Sequence, residues 1–273
     1  MIQRSALALV GATSLLALAA PALAQESQLP TSDWRQADRS EAVAKKVTSP
    51  QSFTFEMRFG PYSPQVDDEP GLNGKTPYKD VFRPTGYSPQ VYFGLELDYL
   101  PLRIPYVGAF GPGVGWGFTT TSELANYSDG AQKGQPSTET TNLTIMPMHA
   151  SAVLRLDELM LRTGVPIVPY AKAGFGMARW TSSTSAGTEV YTKPDGTKVA
   201  AGGLSWGFQF SLGGALSLNF LDPRAAARLD ETTGVNHAYI FGEWMFDKLD
   251  SGVGKDAMHV GTSSWVLGLA LDL

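Results

Sequence analysis

The sequence contains no cysteine among its 273 residues. This absence excludes a disulfide framework, a thiolate metal site and a cysteine that carries a lipid anchor. Beyond the N-terminal segment there is also no apolar run of the roughly 18 residues that a membrane-spanning helix requires. Charged residues make up only 17% of the chain, against about 25% in typical soluble domains. Few charges without a spanning helix favour a β-protein that is apolar on one face.

The chain also lacks an excess of basic residues and is poor in histidine. Its 21 Lys and Arg face 26 Asp and Glu, for a formal net charge of -5. Nucleic-acid binding favours a basic patch, so we expect no nucleic-acid partner. The three histidines, His149, His237 and His259, match no metal motif such as H-E-x-x-H. We interpret them as strand-end or loop residues and expect no metal and no cofactor.

Two groups of residues merit comparison with known sites. The first is a histidine close in sequence to a serine, a combination that hydrolases use. It occurs at His259 with Ser263 and Ser264, and at His149 with Ser151, but neither set has a recognisable orienting carboxylate. The sequence therefore predicts no catalytic residue.

The acidic triplet Asp67–Glu69 offers oxygen ligands suited to Ca²⁺. Its order does not follow the EF-hand loop, and a solvated loop is the favoured interpretation.

The first 24 residues have the features of a secretory signal peptide. Arg4 precedes an apolar, Ala- and Leu-rich run over residues 5–20, and Ala22-Leu23-Ala24 matches an A-x-A cleavage site. Such a segment is removed after export. Residues 25–50 are polar and mixed in charge, and we interpret them as a periplasmic N-terminal lead-in with one short helix near residues 39–46.

A period of two begins at residue 51 and recurs through the rest of the chain. Because successive side chains of a strand point to opposite faces, this alternation predicts strands. Each segment is long enough for a tilted membrane strand, and an even number suits a single-chain bacterial barrel. The eight segments are 51–60, 90–99, 106–120, 142–156, 167–180, 204–219, 235–246 and 264–273.

The connections between these segments alternate in length. Those after the first, third, fifth and seventh segments are long and rich in loop-forming residues, as in outer-membrane barrels with long outer loops. On the other side, Asp222-Pro223 predicts a short helical turn, because Asp caps a helix and Pro suits its first turn. We therefore predict an all-β fold over residues 51–273. It is an antiparallel up-and-down transmembrane β-barrel of about eight strands.

Alternation alone leaves open which face meets water, since a secreted lipocalin-like barrel has the same period with its apolar face inside. Two observations favour the membrane barrel. The less apolar face is built largely from Gly, Ala and Ser with charges of both signs, which suits the narrow interior of eight strands. The other face is aromatic near strand ends, as at membrane interfaces.

Two sets of residues follow from this assignment. We expect Arg58 and Lys172 to neutralise some of the carboxylates that share their face, because buried charges are costly alone. The alternative is that these charges line a wet lumen. The predicted lumen charges are Glu56, Arg58, Glu96, Asp98, Lys172 and Glu243. The predicted interface aromatics are Tyr99, Tyr106, Trp206, Trp244 and Trp265, and Trp180 has a register compatible with either face.

Several phrases resemble one known family. They lie at residues 53–62, 67–69, 77–82, 221–237 and 259–268, for example Leu-Asp-Pro-Arg-Ala-Ala-Ala-Arg-Leu-Asp-Glu-Thr-Thr-Gly-Val-Asn-His in the fourth. The chain is similar to the outer-membrane β-barrel family described mainly from myxobacteria and their relatives, a small OmpA-like barrel. The resemblance implies the fold and the outer membrane but no activity, so no functional residue is carried over. Leu273 departs from the aromatic that commonly ends the barrel-assembly signal.

These observations predict a non-enzymatic protein of the Gram-negative cell outer membrane. Its expected role is structural or surface-interacting, or that of a very narrow, porin-like pore, because eight strands leave little open lumen. A small-ligand binding or transport barrel is the first alternative, and a lipid-modifying or proteolytic barrel enzyme is the second. The expected partners are outer-membrane lipid and, during biogenesis, the barrel-assembly machinery. The sequence identifies no extracellular or periplasmic partner.

Overall fold

The computed structural model describes residues 52–82, 90–126, 131, 135–185, 187–192, 196–252 and 257–273. The predicted signal peptide and lead-in lie outside these residues. Within them the chain forms eight long strands: β1 (Phe53–Tyr62), β2 (Gln90–Tyr99), β3 (Gly108–Asn126), β4 (Pro136–Arg155), β5 (Ile167–Thr184), β6 (Gly202–Ser217), β7 (His237–Gly252) and β8 (Thr262–Asp272).

The eight strands close into one antiparallel barrel. Each strand pairs with its sequence neighbours, and β1 pairs with β8, which completes the ring. This up-and-down closure leaves no free edge along the barrel wall, and the predicted fold class is confirmed. We call the end where β1 begins and β8 ends the terminal end, and the opposite end the loop end.

Strands β3, β4, β5 and β7 extend beyond their predicted segments at the loop end, and the neighbours β3, β4 and β5 are the longest of the eight. β3, β4 and β5 have 19, 20 and 18 residues, whereas β1 and β2 have 10 each. The added residues lie at the loop end and are rich in Thr and Ser, as in the pair Thr141–Thr184. Because both faces there are largely polar, no hydrophobic alternation marked them as strand. We call this part, residues 121–126, 136–141 and 181–184, the polar extension.

The connections contain short helices. At the loop end, a 3₁₀ turn (Val66–Asp68) and helix α1 (Pro77–Phe82) follow β1. At the terminal end, α2 (Asp157–Thr163) follows β4 and α3 (Pro223–Thr233) follows β6. Helix α3 begins at the predicted Pro223 but runs longer than the single turn expected, whereas α2 was not predicted. No helix in the described ranges is both long and apolar enough to cross a bilayer.

The polarity of the barrel is the reverse of that of a soluble protein. Large apolar side chains on alternate positions of the strands are exposed, and Phe208, on β6, is 74% exposed. Buried side chains of the wall are often polar or charged, including Arg58 at 0% and Lys172 at 1% exposure. A lipocalin-like barrel requires the opposite arrangement, so the apolar stripe faces outward.

Candidate functional site: the filled lumen

The strand alternation places all six predicted lumen charges inside the barrel. Glu56 and Arg58 come from β1, Glu96 and Asp98 from β2, Lys172 from β5 and Glu243 from β7, and each is at most 4% exposed. Residues from opposite walls meet because an eight-stranded barrel is narrow enough for side chains to fill its interior. The structure thus brings these six residues into one layer of charge.

Lys172 forms the centre of one half of this layer. Its Nζ lies 2.8 Å from Oε2 of Glu56, 3.0 Å from Oε1 of Glu96 and 3.4 Å from Oδ2 of Asp98. The oxygens of these three carboxylates lie within 4.8 Å of one another, as in a metal-binding cluster. The lysine ammonium, however, lies within ion-pairing distance of all three. The cation that this cluster holds is therefore a side chain of the protein itself.

Arg58 connects the other half of the layer. Its guanidinium is ion-paired with both Glu96 and Glu243, and the Tyr170 hydroxyl donates to Oε2 of Glu243 over 3.0 Å. Removing a guanidinium from such a site leaves buried charges without compensation, which is strongly destabilising.

His149 was assigned wrongly to a strand end or a loop. It lies well inside β4 and faces the lumen, where its Nε2 is 3.3 Å from Oε2 of Glu96. The weak alternation of residues 142–156 hid its inward orientation. Its inward neighbours Ile145 and Ser151, at even spacing on the same strand, were the available signal.

The glycine run of β3 makes room for these large side chains. A Cβ at Gly113 would collide with the Asp98 carboxylate, one at Gly115 with the His149 ring, and one at Gly117 with the Tyr92 ring. The run is therefore a small inner face, as predicted, and its spacing of two matches the inward positions of a strand.

A second polar group closes the terminal end of the lumen. Arg155 donates from Nη1 to Oδ1 of Asp272 and to Oγ1 of Thr54, each over 2.7 Å. Its guanidinium also lies 5.0 Å from the centroid of the Tyr239 ring. Sequence reasoning missed this group because Arg155 and Asp272 stand at the ends of segments.

The loop end of the lumen is closed by apolar and aromatic packing. The buried side chains of Tyr62, Tyr78, Tyr92, Leu249 and Val260 belong to one cluster, which we call the loop-end plug. The Tyr62 hydroxyl donates to the Val260 carbonyl over 2.6 Å. Gln90 donates from Nε2 to the Tyr78 hydroxyl. The connection between β1 and β2 thus folds over the barrel mouth.

Asp67, in the acidic triplet, has a structural role in this connection. Its carboxylate accepts hydrogen bonds from the backbone N–H of Tyr78 over 2.7 Å and of Lys79 over 3.1 Å. It therefore satisfies free donors in the first turn of α1, the usual function of a capping side chain. Both oxygens of this carboxylate are already engaged without Ca²⁺.

Little free volume remains between these layers. A cavity lined by Glu56, Arg155, Tyr170 and Lys172, among others, has a volume of about 10 Å³. This is about the space of one water molecule. A second hollow of about 10 Å³ lies nearby at the terminal end, beside Thr54 and Asp272. The described lumen is therefore packed rather than open.

The structure places the five predicted interface aromatics on the outside of the molecule. Tyr99, Trp206, Trp244 and Trp265 are 39–54% exposed on strands, and Tyr106 is 76% exposed in the turn before β3. Trp180 lies instead on the inward face of β5, packed against the lumen core. Its register with Gly203 and Ile145 fixes that orientation.

The two imitations of a hydrolase pair are not assembled. Ser263 is exposed and accepts from Nε1 of Trp244 over 3.2 Å, whereas Ser264 is buried in the lumen. Ser151 shares the inward face of β4 with His149, but both are enclosed in the barrel. Of the three serines, only Ser263 is exposed, and its hydroxyl is bonded to the Trp244 indole.

Comparisons with known proteins give only a distant likeness. No protein-family profile matches the chain, and no curated protein matches it. Among solved structures it is similar to Ail, the attachment invasion locus protein of Yersinia pestis, with 12% identity, a TM-score of 0.37 and coverage of 82% of this chain and 97% of Ail.

Two other solved structures are comparably distant. The outer membrane enzyme PagL has 13% identity and a TM-score of 0.36, with coverage of 81% of this chain and 99% of PagL. The N-terminal β-barrel domain of Pseudomonas aeruginosa OprF has 12% identity and a TM-score of 0.30, with coverage of 82% and 100%. Because these values are low, the affiliation with the myxobacterial family stays a prediction.

Proposed function

We propose that the protein is an outer-membrane β-barrel with a closed lumen and a structural or surface-interaction role, and that it is not an enzyme. The observation that carries the proposal is the combination of an apolar exterior with a filled interior. In hydrocarbon every backbone polar group needs a partner, and a closed barrel supplies them all. An exposed apolar band with aromatics near its edges suits lipid on the outside.

The filling of the lumen supports a role other than bulk transport. Three layers follow one another along the barrel: the Arg155–Asp272 group, the charge layer around Lys172 and Arg58, and the loop-end plug. Ions would have to displace paired charges and then aromatic side chains to pass. The polar extension, in contrast, presents Thr, Ser and Asn side chains beyond the barrel wall. We assign the surface role to that part of the molecule.

Conductance across planar bilayers tests this function. The reconstituted chain is expected to give no stepwise current above the baseline, because paired charges and aromatic side chains fill the described lumen. Heat-modifiable gel mobility and co-flotation with liposomes verify that the sample is folded and inserted. Reproducible current steps from inserted protein would favour the narrow pore instead.

A further inference from the structure

The connection between β6 and β7 presents apolar side chains outside the barrel wall. Phe220 and Leu221 are 53% and 68% exposed in the turn that follows β6. The turn is held in place by Asn219, which donates from Nδ2 to the Asn236 carbonyl over 2.8 Å and accepts from the Ala238 N–H over 3.2 Å. A fixed turn that exposes two neighbouring large apolar residues suits contact with an apolar surface.

Helix α3 adds two arginines beside this turn. Arg224 and Arg228 are one helical turn apart, and with Asp222, Leu229 and Thr232 they line a hollow of about 480 Å³. Both arginines are exposed. Arg58, Arg103, Arg155 and Arg162 each have a carboxylate partner. Among the described residues, no ion pair engages Arg224 or Arg228.

We propose that this hollow binds the phosphate of a glycerophospholipid in the leaflet at the terminal end, with Phe220 and Leu221 in the acyl region. The inference rests on the proposed membrane location. Leu216 is exposed on the outward face of β6 just before the turn, so Phe220 and Leu221 continue the apolar band. Two guanidiniums match a phosphate in charge and in hydrogen-bond geometry.

The acidic residues of the same segment argue against a general electrostatic attraction to anionic lipid and favour a local phosphate site. Asp222, Asp230 and Glu231 outnumber the two arginines, so the segment as a whole does not attract an anionic surface. Asp222 uses Oδ1 to accept from the Arg224 backbone N–H over 3.1 Å, which caps the helix. Binding therefore depends on short-range contacts from Arg224 and Arg228.

Native mass spectrometry of the purified, detergent-solubilised full chain tests the site. Dioleoyl phosphatidylglycerol is the probe, and dioleoylglycerol, which lacks the phosphate, is the comparison lipid. We expect the double variant Arg224→Gln/Arg228→Gln to bind phosphatidylglycerol about tenfold more weakly, through loss of charge-assisted hydrogen bonds. Binding of dioleoylglycerol should be unchanged. The control variant Lys198→Gln removes one positive charge from an exposed residue at the loop end. It should bind both lipids like the wild type.

Three results would overturn the inference. Equal affinity of the double variant and the wild type for phosphatidylglycerol would contradict the phosphate site. A loss of phosphatidylglycerol affinity in Lys198→Gln as large as that in the double variant would contradict it too. If the double variant loses affinity for soluble peptidoglycan fragments but binds phosphatidylglycerol like the wild type, the hollow is a cell-wall site instead. Each variant is first checked by heat-modifiable gel mobility, and a chain that stays soluble without detergent contradicts the proposed location as well.

Discussion

At the scale of single residues, the lumen is organised by two cations among several carboxylates. Lys172 and Arg58 both pair with Glu96, so this one carboxylate connects the two halves of the charge layer. Burying such charges is costly, and their mutual attraction offsets that cost only when every partner is present. We expect the layer to behave as a unit, in which the loss of one member affects all the others.

Arg58→Met tests this coupling. The variant leaves Glu96 and Glu243 buried without the guanidinium, and removing one partner of a buried pair typically costs about 3–5 kcal/mol. The temperature of the heat-modifiable gel shift should therefore fall. Arg162→Met is the matched control, because Arg162 pairs with Glu158 with its side chain 54% exposed and exposed pairs contribute only about 0–1 kcal/mol. An unchanged shift in Arg58→Met would argue that the charges line a wet lumen.

At the scale of elements, each strand divides its residues between two environments. Adjacent residues of β6 illustrate the division: a Cβ on Gly213 would lie 2.6 Å from Cζ of Tyr170 and 2.7 Å from Cβ of Glu243, whereas a Cβ on Gly214 meets nothing within 4 Å. The first position faces the packed lumen and the second faces outward. Strand glycines thus have different roles according to the parity of their position.

The pair Gly213→Ala and Gly214→Ala measures this difference in one strand. Overpacking of a filled interior costs about 1–3 kcal/mol, so Gly213→Ala should lower the free energy of unfolding in urea from detergent or liposomes. Gly214→Ala should leave it unchanged or raise it by about 0.4–1 kcal/mol, because alanine restricts the unfolded chain. Equal effects at the two positions would contradict the assigned inward and outward faces.

At the scale of the whole molecule, the two ends of the barrel differ. The loop end has the polar extension and the plug, and the terminal end has short helices with exposed apolar residues. Long connections outside and shorter ones in the periplasm are the usual arrangement of outer-membrane barrels. We therefore expect the polar extension on the cell surface and α3 in the periplasm.

Labelling of single cysteines tests this orientation, and the cysteine-free sequence makes it straightforward. A membrane-impermeant maleimide should label Thr138→Cys, exposed in β4, on intact cells. It should label Thr232→Cys, exposed in α3, only after the envelope is opened. Gln209→Cys, 2% exposed in the lumen, is the control that should not react in either case. Labelling of Thr232→Cys alone on intact cells would reverse the orientation.

The sequence by itself determined the fold class, the strand count and which charged residues face inward, since these alternate with the apolar positions of each strand. These features follow from local geometry, because successive side chains of a strand alternate between its two faces. A narrow lumen accommodates only small side chains or paired charges. Wherever the two faces were unequal in polarity, the alternation identified a strand, as in β1, β2 and β8. It failed in the polar extension, where both faces are largely polar.

Only the tertiary structure decided which partners meet across the lumen. The contacts of Lys172 with Glu56, Glu96 and Asp98 depend on how strands far apart in the chain are placed around the barrel, and so does the contact of His149 with Glu96. The loop-end plug could likewise not be predicted from the sequence, because Tyr78 becomes buried only when the connection between β1 and β2 folds over the mouth of the barrel. Such packing is set by barrel closure, a property of all eight strands together, which no single segment encodes.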